Sequence, residues 1–146
     1  MPYIKIWIHL VWSTKKRYPY LTADIRQKVF THMRENAKLK NIYVDFINGY
    51  TDHVHCLDSL TQEQNIATIV KLIKGESAFW INKNNLCKEN FLWQNEYFAV
   101  PVSESGVKRV REYIKNLETH HAKKTFHEEY NEIITKYEFG ISSPSG

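Results

Sequence analysis

The stretch from Asn41 to Leu60 constrains the fold most. Asn41 to Tyr50 is rich in β-branched and aromatic residues, Asn48-Gly49 begins a turn region, and His53 to Leu60 resumes as a strand. Two strands joined this closely pair as an antiparallel hairpin. Helical patterns flank the hairpin. Upstream, Thr22 caps a helix running to about Lys40 with Ile25, Val29, Phe30 and Met33 on one stripe. Downstream, Asn65 to Asn82 carries Ile66, Ile69, Val70 and Ile73 at the same spacing. Ile4 to Trp12 alternates as a first strand, Phe91 to Val102 contains a fourth, and Ser103 caps a third helix to about Thr119 bearing Val107, Val110, Ile114 and Leu117. The order β-α-β-β-α-β-α predicts an α+β fold: a ferredoxin-like antiparallel sheet with helices packed on it. Phe126 to Tyr137 reads as a short amphipathic helix. Residues 1–139 form one domain, followed by a flexible tail, 140–146, rich in Ser, Gly and Pro.

Composition narrows the function. A chain of 146 residues with 42% hydrophobic and 14% aromatic residues buries a real core and is not disordered. Its apolar stretches are far shorter than a membrane span, and its first residues read as a strand and not as a signal peptide, so a cytoplasmic location without a membrane partner is expected. A net charge of +4 and a pI near 9.0 give a mild bias toward anionic partners. The bias sharpens where Lys15, Lys16 and Arg17 stand between Trp12 and Tyr18. Cations hold phosphates and rings stack unpaired bases, so Trp12, Lys15, Lys16 and Arg17 are candidate DNA-binding residues. Taken alone, the segment reads first as a solvated basic loop. Cys56 and Cys87 lack CxxC spacing, which argues against a zinc finger or a disulfide framework.

Two further patterns carry chemistry. His53-Val54-His55 puts two imidazoles on the same face of a strand, able to give one nitrogen each to a divalent ion. By itself the pair is also consistent with two half-exposed histidines on a sheet. Tyr113 lies on the third helix with Asn116, Leu117 and His120 at three, four and seven residues beyond it, and Arg109 one turn earlier. A core tyrosine is the alternative, but this mixture of polar neighbours suits a polar site better.

These residues together resemble a known family. His9-Leu-Val-Trp12-Ser-Thr-Lys15, the His53-Val-His55 pair, Ile73-Lys-Gly75, Trp93-Gln94 with Tyr97-Phe98, and Tyr113-Ile-x-Asn116 followed by His120-His121 are similar to the single-tyrosine transposases of the HUH endonuclease superfamily. These comprise the smallest insertion-sequence transposases and the REP-associated tyrosine transposases, and the resemblance spans about Tyr3 to Tyr137. It implies a ferredoxin-like fold and a homodimer with shared active sites, the tyrosine helix of one subunit completing the histidine site of the other. The implied substrate is single-stranded DNA, often as hairpin ends, and the implied cofactor Mg2+ or Mn2+. Tyr113 would be the nucleophile, joined to a 5′ phosphate while a 3′ hydroxyl leaves, with His53 and His55 as metal ligands. Such an enzyme cleaves and rejoins DNA without ATP, because the phosphotyrosine bond conserves the energy.

One position departs from the pattern. Four residues after the tyrosine, the family usually has a Gln that serves as a third metal ligand; here stands Leu117, which has no lone pair to give. Asn116 and His120 are the auxiliary candidates in its place. Asp58 occupies a position usually apolar, on the sheet face opposite the histidines, and Glu76 reads as a solvated helix position. Two alternatives follow: a domesticated relative acting on host repeats, or a catalytically weakened single-stranded nucleic-acid-binding protein.

Overall fold

The computed structural model describes residues 5–117, together with Glu128, Asn131 and Thr135, which are helical. The elements are β1 (Ile6–Ser13), α1 (Ala23–Leu39), β2 (Tyr43–Gly49), β3 (His53–Leu60), α2 (Ile66–Lys83), β4 (Phe98–Val102) and α3 (Val107–Lys115). The sheet runs β2-β3-β1-β4 with every neighbouring pair antiparallel. This is the ferredoxin-like α+β arrangement that the element order predicts.

Alternation along the strands splits the core between the two faces of the sheet. Ile8, Leu10 and Trp12 of β1 join Val54 and Cys56 of β3 beneath α1 and α2. Trp7, Val11 and Leu57 face the other way and pack with Val107, Val110, Tyr113, Ile114 and Leu117 on and just beyond α3. Each large apolar side chain buried in these layers contributes about 1.5–3 kcal/mol. Cys56 is wholly enclosed on the α1/α2 side.

A register shift in β2 between Val44 and Phe46 reverses the alternation locally. Val44 stays with the α1/α2 core, Phe46 turns to the α3 side, and Asp45 of the bulge takes Arg111 of α3 at 2.7 Å. At the end of β2, Gly49 is required by space. A Cβ there would lie 2.2 Å from the carbonyl oxygen of His53, so only glycine lets the hairpin close this tightly.

One expected boundary differs and another is sharpened. Ser103 does not cap the third helix. A 3-10 turn, Glu104–Gly106, intervenes, and the Ser103 hydroxyl pairs with that of Ser105 at 3.2 Å. The fourth strand is confined to Phe98–Val102 because side chains of α2 occupy the backbone before it. Asn82 bonds both the amide and the carbonyl of Phe91, and Lys74 reaches the carbonyls of Gln94 and Asn95. Trp93 donates its indole N–H to Ser77 at 2.9 Å. The continuation of the third helix to Thr119, the helix over Phe126 to Tyr137 and the tail lie outside the described residues, apart from the three helical positions named above.

Candidate active site

The two histidines of β3 sit on the α3 side of the sheet, and both are buried, in place of the half-exposed alternative. Their rings meet edge-on, with centroids 5.3 Å apart. Each has its Nδ1 engaged. His53 Nδ1 lies 2.7 Å from Asp52 Oδ1, and His55 Nδ1 lies 2.9 Å from Nε2 of His9 on β1. Asp52 is itself held by Arg17, whose Nε and Nη2 approach Oδ2 at 3.0 and 2.8 Å. Burial pushes the Asp52 carboxyl upward, but the His53 hydrogen bond and the charges of His53 and Arg17 outweigh it and hold the carboxyl below its ordinary range. An ionised carboxylate only accepts, so His53 donates from Nδ1, and in its neutral form carries the lone pair on Nε2.

Tyr113 reaches the same place from α3. Its ring stands edge-on to His55 with centroids 6.1 Å apart, and it is 8% exposed with the hydroxyl oxygen beneath the surface. Two contacts from β2 fix this helix. Arg111 pairs with Asp45, and the buried Asn48 amide donates to the carbonyls of Ile114 and Lys115 at 3.0 and 3.4 Å, satisfying acceptors that a helix end leaves open. Within this chain the tyrosine helix docks on the sheet that carries His55.

The neighbours of Tyr113 differ from expectation. Leu117 is fully buried among Trp7, Val11 and Leu57, where it packs as a core residue. Asn116 is exposed at the helix end, and its backbone N–H closes the last turn. His120 lies outside the described residues.

Among the expected DNA contacts, Trp12 is corrected. It is 1% exposed, on the α1/α2 side, against Trp93 at 5.9 Å. Its even position in β1 turns it into the core, where no base can stack. Of the two flanking aromatics, Tyr18 is the accessible one, at 45% exposure. Lys15 and Lys16 are exposed on a 3-10 turn in which Lys16 and Arg17 adopt left-handed φ values of 54° and 57°. Thr14 pins that turn, its hydroxyl donating to Tyr18 O at 2.6 Å and its amide to Asp52 O at 2.8 Å. Glu76 is not merely solvated. Both its carboxylate oxygens meet His32 Nε2, at 2.9 and 3.0 Å.

Sequence reasoning missed the roles of His9 and Asp52. His9 entered only as a motif letter. Its position opposite the β3 histidines needs the β1–β3 register, in which His9 faces Leu57 and Val11 faces His55. Asp52 adjoins His53 in sequence, and a carboxylate beside a candidate ligand was the available signal. The donor chemistry fits a divalent ion in part: two imidazoles on one face, each with Nδ1 already engaged. Among the described residues no group of three or more His, Cys, Asp or Glu is placed to hold a metal ion.

Comparison with known proteins finds transposases. The chain is 31% identical over 114 residues to the ISDra2 transposase TnpA of Deinococcus radiodurans, covering 74% of this chain and 81% of that one. A solved chain from D. radiodurans R1, assigned as a transposase, superposes with a TM-score of 0.65 at 27% identity, over 79% of this chain and 92% of that one. The REP-associated tyrosine transposase bound to a REP hairpin shares the fold with a TM-score of 0.61 at 15% identity, over 83% of this chain and 72% of that one. The family described as "Transposase IS200 like" matches residues 3–117, the span that holds both histidines and Tyr113, and the chain belongs to that family of DNA transposases.

Proposed function

We propose that this transposase cuts and rejoins single-stranded DNA with Tyr113 as its nucleophile and His53 and His55 as ligands of Mg2+ or Mn2+. The observation that carries the reading is the edge-on approach of Tyr113 to His55 within one chain. In the forward step the phenolic oxygen bonds to phosphorus, the bond from phosphorus to the 3′ oxygen breaks, the phenol proton passes to solvent and the 3′ oxygen takes a proton from solvent to leave as a hydroxyl. The reverse attack by a 3′ hydroxyl restores the diester and frees the tyrosine. A divalent ion on the two Nε2 atoms would offset the charge that builds on the phosphate oxygens. The chain's own residues do the rest. Asp52 and Arg17 orient His53, Asn48 and Arg111 place the helix, and Lys15 and Lys16 attract the phosphate backbone. Because the Tyr113 hydroxyl lies beneath the surface, DNA entry involves an outward shift of α3.

A REP hairpin bound by a relative of this fold supports hairpin ends as the preferred substrate. We extend the reading to a homodimer in the cytoplasm. No helix among the described residues is long and apolar enough to cross a membrane. The experiment is a denaturing gel of protein with labelled hairpin DNA and Mn2+. The wild type should form a covalent adduct and Tyr113→Phe should form none while retaining DNA binding. An adduct of equal yield in the Phe variant would overturn the assignment.

A further inference from the structure

His9 plays no part in the chemistry above, yet it is buried, polar and bonded to a proposed metal ligand. Its Nε2 lies 2.9 Å from His55 Nδ1, and the two rings are tilted by 39° with centroids 5.1 Å apart. A neutral imidazole has one N–H and one lone pair, so the direction of this hydrogen bond fixes both tautomers. If His9 donated, His55 would hold its proton on Nε2 and that nitrogen could not ligate. If His9 accepts, His55 holds its proton on Nδ1 and Nε2 carries the lone pair.

The neighbouring ligand shows which sense the site is built for. Asp52 makes Nδ1 of His53 the donor, which leaves Nε2 as the lone-pair nitrogen. Because His9 engages Nδ1 of His55, Nε2 is the nitrogen left to serve an ion, and it can do so only if it carries the lone pair. We propose that His9 is a positioning residue that accepts from His55 Nδ1–H, so locking the tautomer and ring orientation that offer His55 Nε2 to the metal. The role parallels that of Asp52 with a neutral acceptor in place of a charged one, and it rests on the metal reading given above. Accepting partners of this sort typically account for a 10–100-fold gain in metal affinity.

The placement follows from the strands. His9 and His55 are both on the α3 side of adjacent antiparallel strands and are diagonal, because His55 pairs with Val11. Diagonal neighbours of this kind come within reach of ring-sized side chains. Along β1 His9 stands between Trp7 and Val11, which are buried on the same face.

The test uses the full-length protein. Long-range proton–nitrogen NMR of the metal-free wild type reads the tautomer of His55 directly and needs no variant. The expected result is a proton on Nδ1; a proton on Nε2 overturns the proposal. Calorimetric titration with Mn2+ alone then compares wild type with His9→Leu and His9→Gln. The Leu variant should bind Mn2+ 10–100-fold more weakly, and Gln, whose Oε1 can accept, should recover part of the loss. DNA binding in chelator should not change. If the Leu variant binds Mn2+ as the wild type does, the role of His9 fails and the metal site stands. If the wild type itself binds no Mn2+, the metal reading fails and the proposal with it.

Discussion

Asp58 is 1% exposed beneath α1 and α2, with Ile8 and Val44 opposite it on the neighbouring strands. Neither carboxyl oxygen has a hydrogen-bond partner. Burial pushes its pKa from 3.8 to about 8. The proton is therefore held by the folded chain and lost by the unfolded chain between those values. Stability is fully present below pH 3.8 and falls as pH rises, by about 1.4 kcal/mol per unit, until it levels near pH 8. The whole span is worth on the order of 5 kcal/mol, a large share of the 5–15 kcal/mol that holds a typical domain. Replacing Asp58 with Asn removes the titration while keeping the shape. Urea denaturation of both proteins between pH 4.5 and 8 isolates the effect, because groups common to both, such as Asp52, cancel in the difference. The Asn variant should gain on the wild type by about 1.4 kcal/mol for each unit of pH. Parallel profiles for the two proteins would refute the reasoning and mean that the carboxyl reaches a polar partner in solution.

Other outcomes follow from the site. Leu117→Gln places an amide in an apolar cluster and should lose roughly 1–3 kcal/mol by metal-free denaturation. The metal concentration for half-maximal cleavage should not fall; a lower requirement would place this position beside the ion. Lys15→Ala should weaken binding of unrelated single strands alike and flatten the salt dependence by about one charge. Arg17→Ala should do the same and, through Asp52, also weaken Mn2+ binding, a loss Lys15→Ala should not share in calorimetry. Light scattering should give twice 17.4 kDa for a homodimer, and an active protein of single-chain mass would reject it.

The order of elements along the chain and the helix stripes were legible because they depend on near neighbours. Ile25, Val29, Phe30 and Met33 repeat at helical spacing, and β3 begins and ends where its composition changes. What escaped depends on which face a residue takes and what crosses to meet it. Trp12 looked like a stacking ring because it borders a basic loop, but strand parity sends it inward. The bulge at Asp45 broke the alternation in β2 and turned Asn48, read as part of a turn, into the clamp on α3. His53, His55 and Tyr113 could be singled out by spacing and motif. The hydrogen bond of His9 could not, because it exists only in the register that pairs Val11 with His55.

The Arg17–Asp52–His53 chain joins a surface loop to the proposed ligand, and thermodynamics makes that join reciprocal. Arg17 is bonded to one carboxylate oxygen while the other orients the imidazole. A phosphate that engages Arg17 competes for that same guanidinium, and whatever it takes from Asp52 changes the hold on His53. The two equilibria are then coupled by one free energy: the factor by which DNA alters the affinity of the imidazole pair for an ion is the factor by which the ion alters the affinity for DNA. On the proposed function, metal and strand would not be independent visitors to this protein, and the loop between β1 and α1 would be where each senses the other.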